Sequence, residues 1–148
     1  MTQEQRDFYI KKYQHLGLYF GHGPGWDKLT LIAAIELDSM WPTWMPYWLK
    51  RLNNRLLYAY KGHSLVRTTK FYYSKLRKIV PFIKTYPRFQ QIKEKFGGLR
   101  LYGAGSLEME LSGLSYNICE NCGSTSYVSQ TKGVWVKTLC KECMDKKK

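Results

Sequence analysis

Hydrophobic and polar positions alternate along the chain with two periods, and helical spacing dominates. Residues 3 to 14 are polar with scattered aromatics, and the spacing predicts a short polar helix. A glycine-rich stretch, Gly21-His22-Gly23-Pro24-Gly25-Trp26, follows. Leu29, Ile32, Ile35 or Glu36, and Met40 then predict a helix over 27–40, with Asp27 as its N-cap. From Pro46 to Tyr60, Trp48, Leu49, Leu52, Leu56 and Tyr60 form an apolar stripe. Pro46 suits a first helical turn, and Gly62 suits a stop. Ser64 to Val80 reads as a further helix with Leu65, Tyr72, Tyr73, Leu76 and Ile79 facing inward. Its 68–73 portion is β-branched and aromatic enough to be a strand instead.

Pro87 opens a short predicted helix through Phe89, Ile92 and Lys95, broken by Gly97-Gly98. Leu99 to Tyr102 reads as a strand. Ser106 to Ser115 reads as a helix with Leu107, Leu111 and Leu114 on one side and no clear capping box. Near the C-terminus the period shortens to two. Ser126–Gln130 and Val134–Leu139 alternate around Thr131-Lys132-Gly133, which predicts a β-hairpin. The expected class is α+β. A mainly helical domain over 1–115 carries a short sheet, and a cysteine-bearing hairpin module occupies 116–148.

The cysteines change this picture most. All four lie in two Cys-x-x-Cys pairs, Cys119/Cys122 and Cys140/Cys143, with seventeen residues between the pairs. That spacing supplies four thiolates to one tetrahedral zinc and leaves no cysteine over. Disulfides and a redox dithiol are the competing readings. Residues 1–20 lack the continuous apolar run of a secretory signal, which favours a reducing compartment. A redox motif needs only one pair. Knuckle, hairpin, knuckle is the order of a zinc ribbon with one structural Zn2+. Five residues follow Cys143, so no completing helix of the treble-clef or HNH-nuclease kind is expected. A closed four-thiolate site keeps no position for substrate.

Charge is the next informative feature. The 148 residues carry a formal net charge of +13. Residues 39–93 hold twelve basic and no acidic side chains, and twelve of the twenty-three aromatics. Concentrated cations attract polyanions, and interleaved aromatics stack on unpaired bases. Lys50, Arg51, Arg55, Arg67, Lys70, Lys75, Arg77 and Lys78 are the candidate phosphate contacts, extended by Lys132, Lys137 and Lys141. Trp135, on the predicted hairpin, is either an exposed stacking residue or a packing residue. A solubilising surface over an aromatic core is the plainer account of this composition. It fits the aromatics better than the charge, because ordinary surfaces mix both signs.

The expected function is nucleic-acid binding, DNA or RNA. The alternative is an effector that docks its basic face on a host protein of nucleic-acid metabolism or defence. The sign of the charge argues against a DNA mimic, which would be acidic. No apolar run is long enough to predict a transmembrane helix. The glycine-rich stretch lacks the Gly-Lys-Ser/Thr ending of a P-loop and the preceding strand of a Rossmann turn. His15, His22 and His63 form no metal or catalytic pattern, and Glu108 and Glu110 diverge on a helix. No catalytic constellation is expected.

The run Gln91-Ile92-Lys93-Glu94-Lys95-Phe96-Gly97-Gly98-Leu99-Arg100-Leu101-Tyr102, followed by Cys119-Glu-Asn-Cys122-Gly123, resembles a group of small phage and prophage proteins. Those carry a similar Lys-Glu-Lys-Phe-Gly-Gly-Leu-Arg run ahead of a cysteine knuckle. The loop ending in Gly25-Trp26 is similar to their N-terminal region. The likeness covers that loop and about residues 90–143, and not the basic block over 43–88. It implies a viral or prophage origin and action in the bacterial cytoplasm. It transfers no mechanism.

Overall fold

The computed structural model describes residues 1–52 and 86–146. The chain separates into two compact units. One joins residues 1–38 to 87–148, and the other spans 39–86. The cysteine segment belongs to the same unit as the N-terminal helices. The predicted helix over 64–80 and most of the helix expected over 46–60 lie outside the described residues. Residues 47–52 are helical, and Leu49 and Lys50 donate their N–H groups to the Pro46 carbonyl, as a start at that proline requires. Within the same unit Trp41 stacks on Tyr86, with ring centroids 4.5 Å apart.

In the first unit, α1 (Gln3–Lys12) begins with a capping box. The Thr2 hydroxyl accepts from Gln5 N, and the Gln5 side chain accepts from Thr2 N. The helix buries no residue, so local capping rather than core packing defines its start. A 3-10 turn over Gln14–Leu16 follows, closed by Gly17, and it places His15 and Leu16 in the core.

Helix α2 (Asp27–Ser39) follows a second 3-10 turn, Pro24–Trp26. Two expectations are corrected here. Asp27 has helical backbone angles and is not the N-cap. Its buried carboxylate instead accepts both Arg6 Nε (3.0 Å) and Arg6 Nη2 (2.6 Å), a charge-assisted fork that joins α1 to α2. The buried face is Leu29, Thr30, Ala33, Ala34 and Leu37, whereas Ile32, Ile35 and Met40 are each 51% exposed. Small residues at positions 30, 33 and 34 permit close approach to the helix backbone. Counting only bulky apolar positions therefore keeps Leu29 and misses the rest of the buried face.

The segment expected to be helical from Pro87 to Lys95 is a strand. β1 (Gln91–Lys95) pairs antiparallel with β2 (Gly98–Tyr102), in the register Ile92↔Leu101 and Lys95↔Gly98. Phe96 and Gly97, the two linking residues, both have positive φ (53° and 69°), the pattern of a type I′ hairpin turn. Ile92, Leu99 and Leu101 are buried together on one face. Their burial outweighs the helix propensity of a Gln-Ile-Lys-Glu-Lys string. The expected strand over 99–102 is present. Helix α3 (Leu107–Ser115) packs on β2 through Leu99 N, which donates to Ser115 Oγ at 2.9 Å. It buries Leu111, Ser112 and Ser115, while Leu114 is half-exposed, so the expected leucine face is only partly the packed one. The C-terminal segment adds β3 (Val128–Gln130), β4 (Thr138–Cys140) and α4 (Lys141–Asp145). The class is α+β with two two-stranded sheets among the described residues. No described helix is long and apolar enough to cross a membrane.

Candidate metal centre

The first cysteine pair sits in a tight backbone turn. Cys119 N donates to Ser124 O (2.8 Å), and Gly123 N donates back to Cys119 O (2.9 Å). Gly123 has φ +80°, which a side chain would strain. The second pair arises differently. Cys140 ends β4 with extended angles and is the N-cap of α4, and Cys143 lies in that helix. The second pair therefore straddles the N-terminus of a five-residue helix. Between the pairs, β3 and β4 align Val128 with Cys140 and Gln130 with Thr138. The strands are shorter than expected. Residues 131–137 form a loop pinned by Thr131, whose N–H donates to Lys137 O and whose hydroxyl accepts from Lys137 N, both at 2.8 Å.

The four Sγ atoms lie within 4.8 Å of one another, and Cys122 Sγ is 3.6 Å from Cys140 Sγ. Zinc–sulfur bonds of about 2.3 Å in a tetrahedron put sulfurs about 3.8 Å apart. The cluster therefore fits a four-thiolate ion. All four cysteines are free thiols. Cys119, Cys140 and Cys143 are buried with Leu139, against Val128 and Met144, which shields the centre from solvent on that side. Asn121 Nδ2 lies 3.6 Å from Cys143 Sγ and is placed to donate to it.

Crowded thiols cannot all ionise without a cation. Burial pushes the Cys119 thiol up, but donation from the backbone N–H groups of Cys140, Cys122 and Asn121 outweighs it and brings the group down to about 7. At Cys122 the Ser124 backbone lowers the value. Desolvation and the sulfurs of Cys119, Cys140 and Cys143 outweigh that and raise it to about 12. The Cys140 thiol is raised too: its bond with the Cys143 backbone lowers it, but desolvation and the Cys143 and Cys119 sulfurs win. A divalent cation removes this conflict.

The glycine-rich loop has a structural role at this centre. Gly25 N donates to Glu120 O at 2.7 Å, and the fully buried Trp26 donates its indole Nε1–H to Ile118 O at 2.8 Å. A Cβ on Gly25 would lie 2.0 Å from Cys119 O, and one on Gly23 would lie 2.5 Å from Glu120 O. The glycines therefore let two backbones meet at the first knuckle. His22 is locked in place: its Nδ1–H donates to Gly23 O (2.8 Å) and its Nε2 accepts from the Thr30 hydroxyl (2.6 Å). Burial lowers its pKa, consistent with this neutral tautomer.

The cysteine set is the part of the expected site that comes together. Lys50 and Arg51 neighbour each other on the 47–52 helical segment, where Lys50 lies 5.9 Å from the Trp41 ring and Arg51 lies 5.8 Å from the Tyr47 ring. Arg55, Arg67, Lys70, Lys75, Arg77 and Lys78 lie outside the described residues. Lys137 is 3.5 Å from the buried Glu120 carboxylate. Trp135 is 74% exposed, so it does not pack the hairpin onto the core. Glu120 and Phe96 carry no assigned role in the sequence reading, and Trp26 enters it only as the end of the glycine-rich loop. Phe96 has a local signal, as a ring placed directly before Gly97-Gly98. No protein-family model, curated protein or solved structure matches the chain.

Proposed function

We propose that the protein is a zinc-holding nucleic-acid-binding protein. Cys119, Cys122, Cys140 and Cys143 hold one structural Zn2+. The module is a zinc ribbon whose second knuckle runs into a short helix. The four-sulfur cluster supports the metal, and its fully protein-supplied ligand set supports a structural role over a catalytic one. The observation that carries the nucleic-acid reading is the charge segregation over 39–93, twelve cations and no anion. A surface of that sign binds phosphate chiefly by releasing counterions. The resemblance to phage and prophage proteins fits a bacterial cytoplasmic setting.

The deciding experiment is binding of the zinc-loaded protein to labelled duplex DNA, single-stranded DNA and RNA across a salt series. Submicromolar binding at low salt that weakens steeply as salt rises is the expected result. Absence of binding to all three at low salt overturns the reading. It would make the basic block a docking face for an acidic host protein, recoverable as a stoichiometric partner after nuclease treatment.

A further inference from the structure

Phe96 occupies an unfavourable position twice over. Its backbone is left-handed, φ +53°, where a bulky side chain is strained and Asn or Gly is preferred. Its ring is 68% exposed, so little packing compensates for the strain. Backbone strain of this kind concentrates at functional sites. Phe96 is not isolated. Gln130 Nε2 donates to the Phe96 carbonyl (3.2 Å), and the Thr138 hydroxyl donates to the carbonyl of Gly97. The I′ turn is thereby fastened to the root of the 131–137 loop, which carries Trp135 at 74% exposure and a fully exposed Val134. Each ring has a lysine in its own segment, and the Glu94 carboxylate, which accepts from Gly97 N at 2.7 Å, is held within the turn. Lys95 Nζ lies 5.2 Å from the Phe96 ring centroid, and Lys132 is exposed in the same loop as Trp135.

We propose that Phe96 and Trp135 form a stacking platform for unpaired bases, with Lys95 and Lys132 meeting the flanking phosphates. The occupant is a single strand rather than a duplex, because only unpaired bases offer their faces to aromatic rings. Charge complementarity selects nucleic acid over a neutral apolar partner. The inference rests on the nucleic-acid reading above and specifies which form is bound.

The test uses the full zinc-loaded chain, a fluorescent oligothymidylate of about 15 nucleotides and a duplex of the same length. Wild type is expected to favour the single strand. Phe96→Asn and Trp135→Ala are each expected to weaken oligothymidylate binding about tenfold, leaving the salt slope unchanged. Phe96→Tyr keeps a ring and is expected to retain affinity. Phe96→Asn is also expected to melt higher than wild type, because asparagine tolerates the left-handed turn; zinc content reports correct folding of every variant. A stability gain joined to a binding loss is what a merely structural phenylalanine would not give. Equal binding of duplex and single strand, with full affinity in both variants, overturns the platform and leaves the charge reading intact. Absence of binding to either nucleic acid at low salt removes the charge reading as well.

Discussion

Gly25 shows how much a single hydrogen in place of a side chain can decide. Its φ is unexceptional, so the constraint is space alone: a methyl group would meet Cys119 O at 2.0 Å and Gly123 N at 2.5 Å. Gly25→Ala is expected to destabilise the fold by about 3 kcal/mol, at the upper end of overpacking costs. It should also speed zinc release to a chromophoric chelator severalfold. Wild-type stability and release in that variant would show that the loop does not brace the knuckle. The sequence displays these glycines plainly but not their reason. The backbone they admit lies some 90 positions downstream, and local spacing carries no trace of it. The same holds for Asp27. As an acid before a helical pattern it reads as a cap, whereas the distant Arg6 fork and the N-terminal amine, 3.3 Å away, make it a buried anchor.

At the level of elements, legibility follows how local the cause is. The cysteine pairs were readable because two-residue spacing forces two sulfurs together. The β1 strand was not, since Gln91–Lys95 favours a helix locally and becomes a strand only through Leu99, Leu101 and the Phe96-Gly97 turn. The helix after Cys140 was hidden for a further reason: five residues are too few to show a period. The assembled cysteine module makes a pH prediction. The Cys122 and Cys140 thiols are both raised, so a zinc ion held by all four sulfurs as proposed would expel at least those two protons. Acidification returns them and opposes the metal, whereas alkalinisation favours it. Apparent zinc affinity is therefore expected to fall about a hundredfold or more per unit as pH drops from 8 to 6. Chelator competition at several pH values checks this, and pH-independent affinity would rule out thiolate ligation.

At the level of the whole molecule, the chain interrupts one unit with another. Residues 39–86 leave the first unit after Asp38 and return at Pro87. The basic block over 39–93 overlaps this segment, but composition alone sets no boundary within 1–115. If its cations neutralise phosphates, the triple reversal Arg51→Glu, Arg55→Glu, Lys78→Glu should flatten the salt dependence of duplex binding by about 2 to 3 logarithmic units of slope. An unchanged slope would assign phosphate contact to other residues. The Trp26–Ile118 bond gives the same architecture a temporal side. Its partners are 92 residues apart. Translation at about 5–20 residues per second separates their appearance by about 5 to 20 s. During that interval a nascent chain carries an uncovered indole and a loop without its knuckle. A nascent chain stalled before Ile118 is therefore expected to be cut by protease faster than one extended past Cys143.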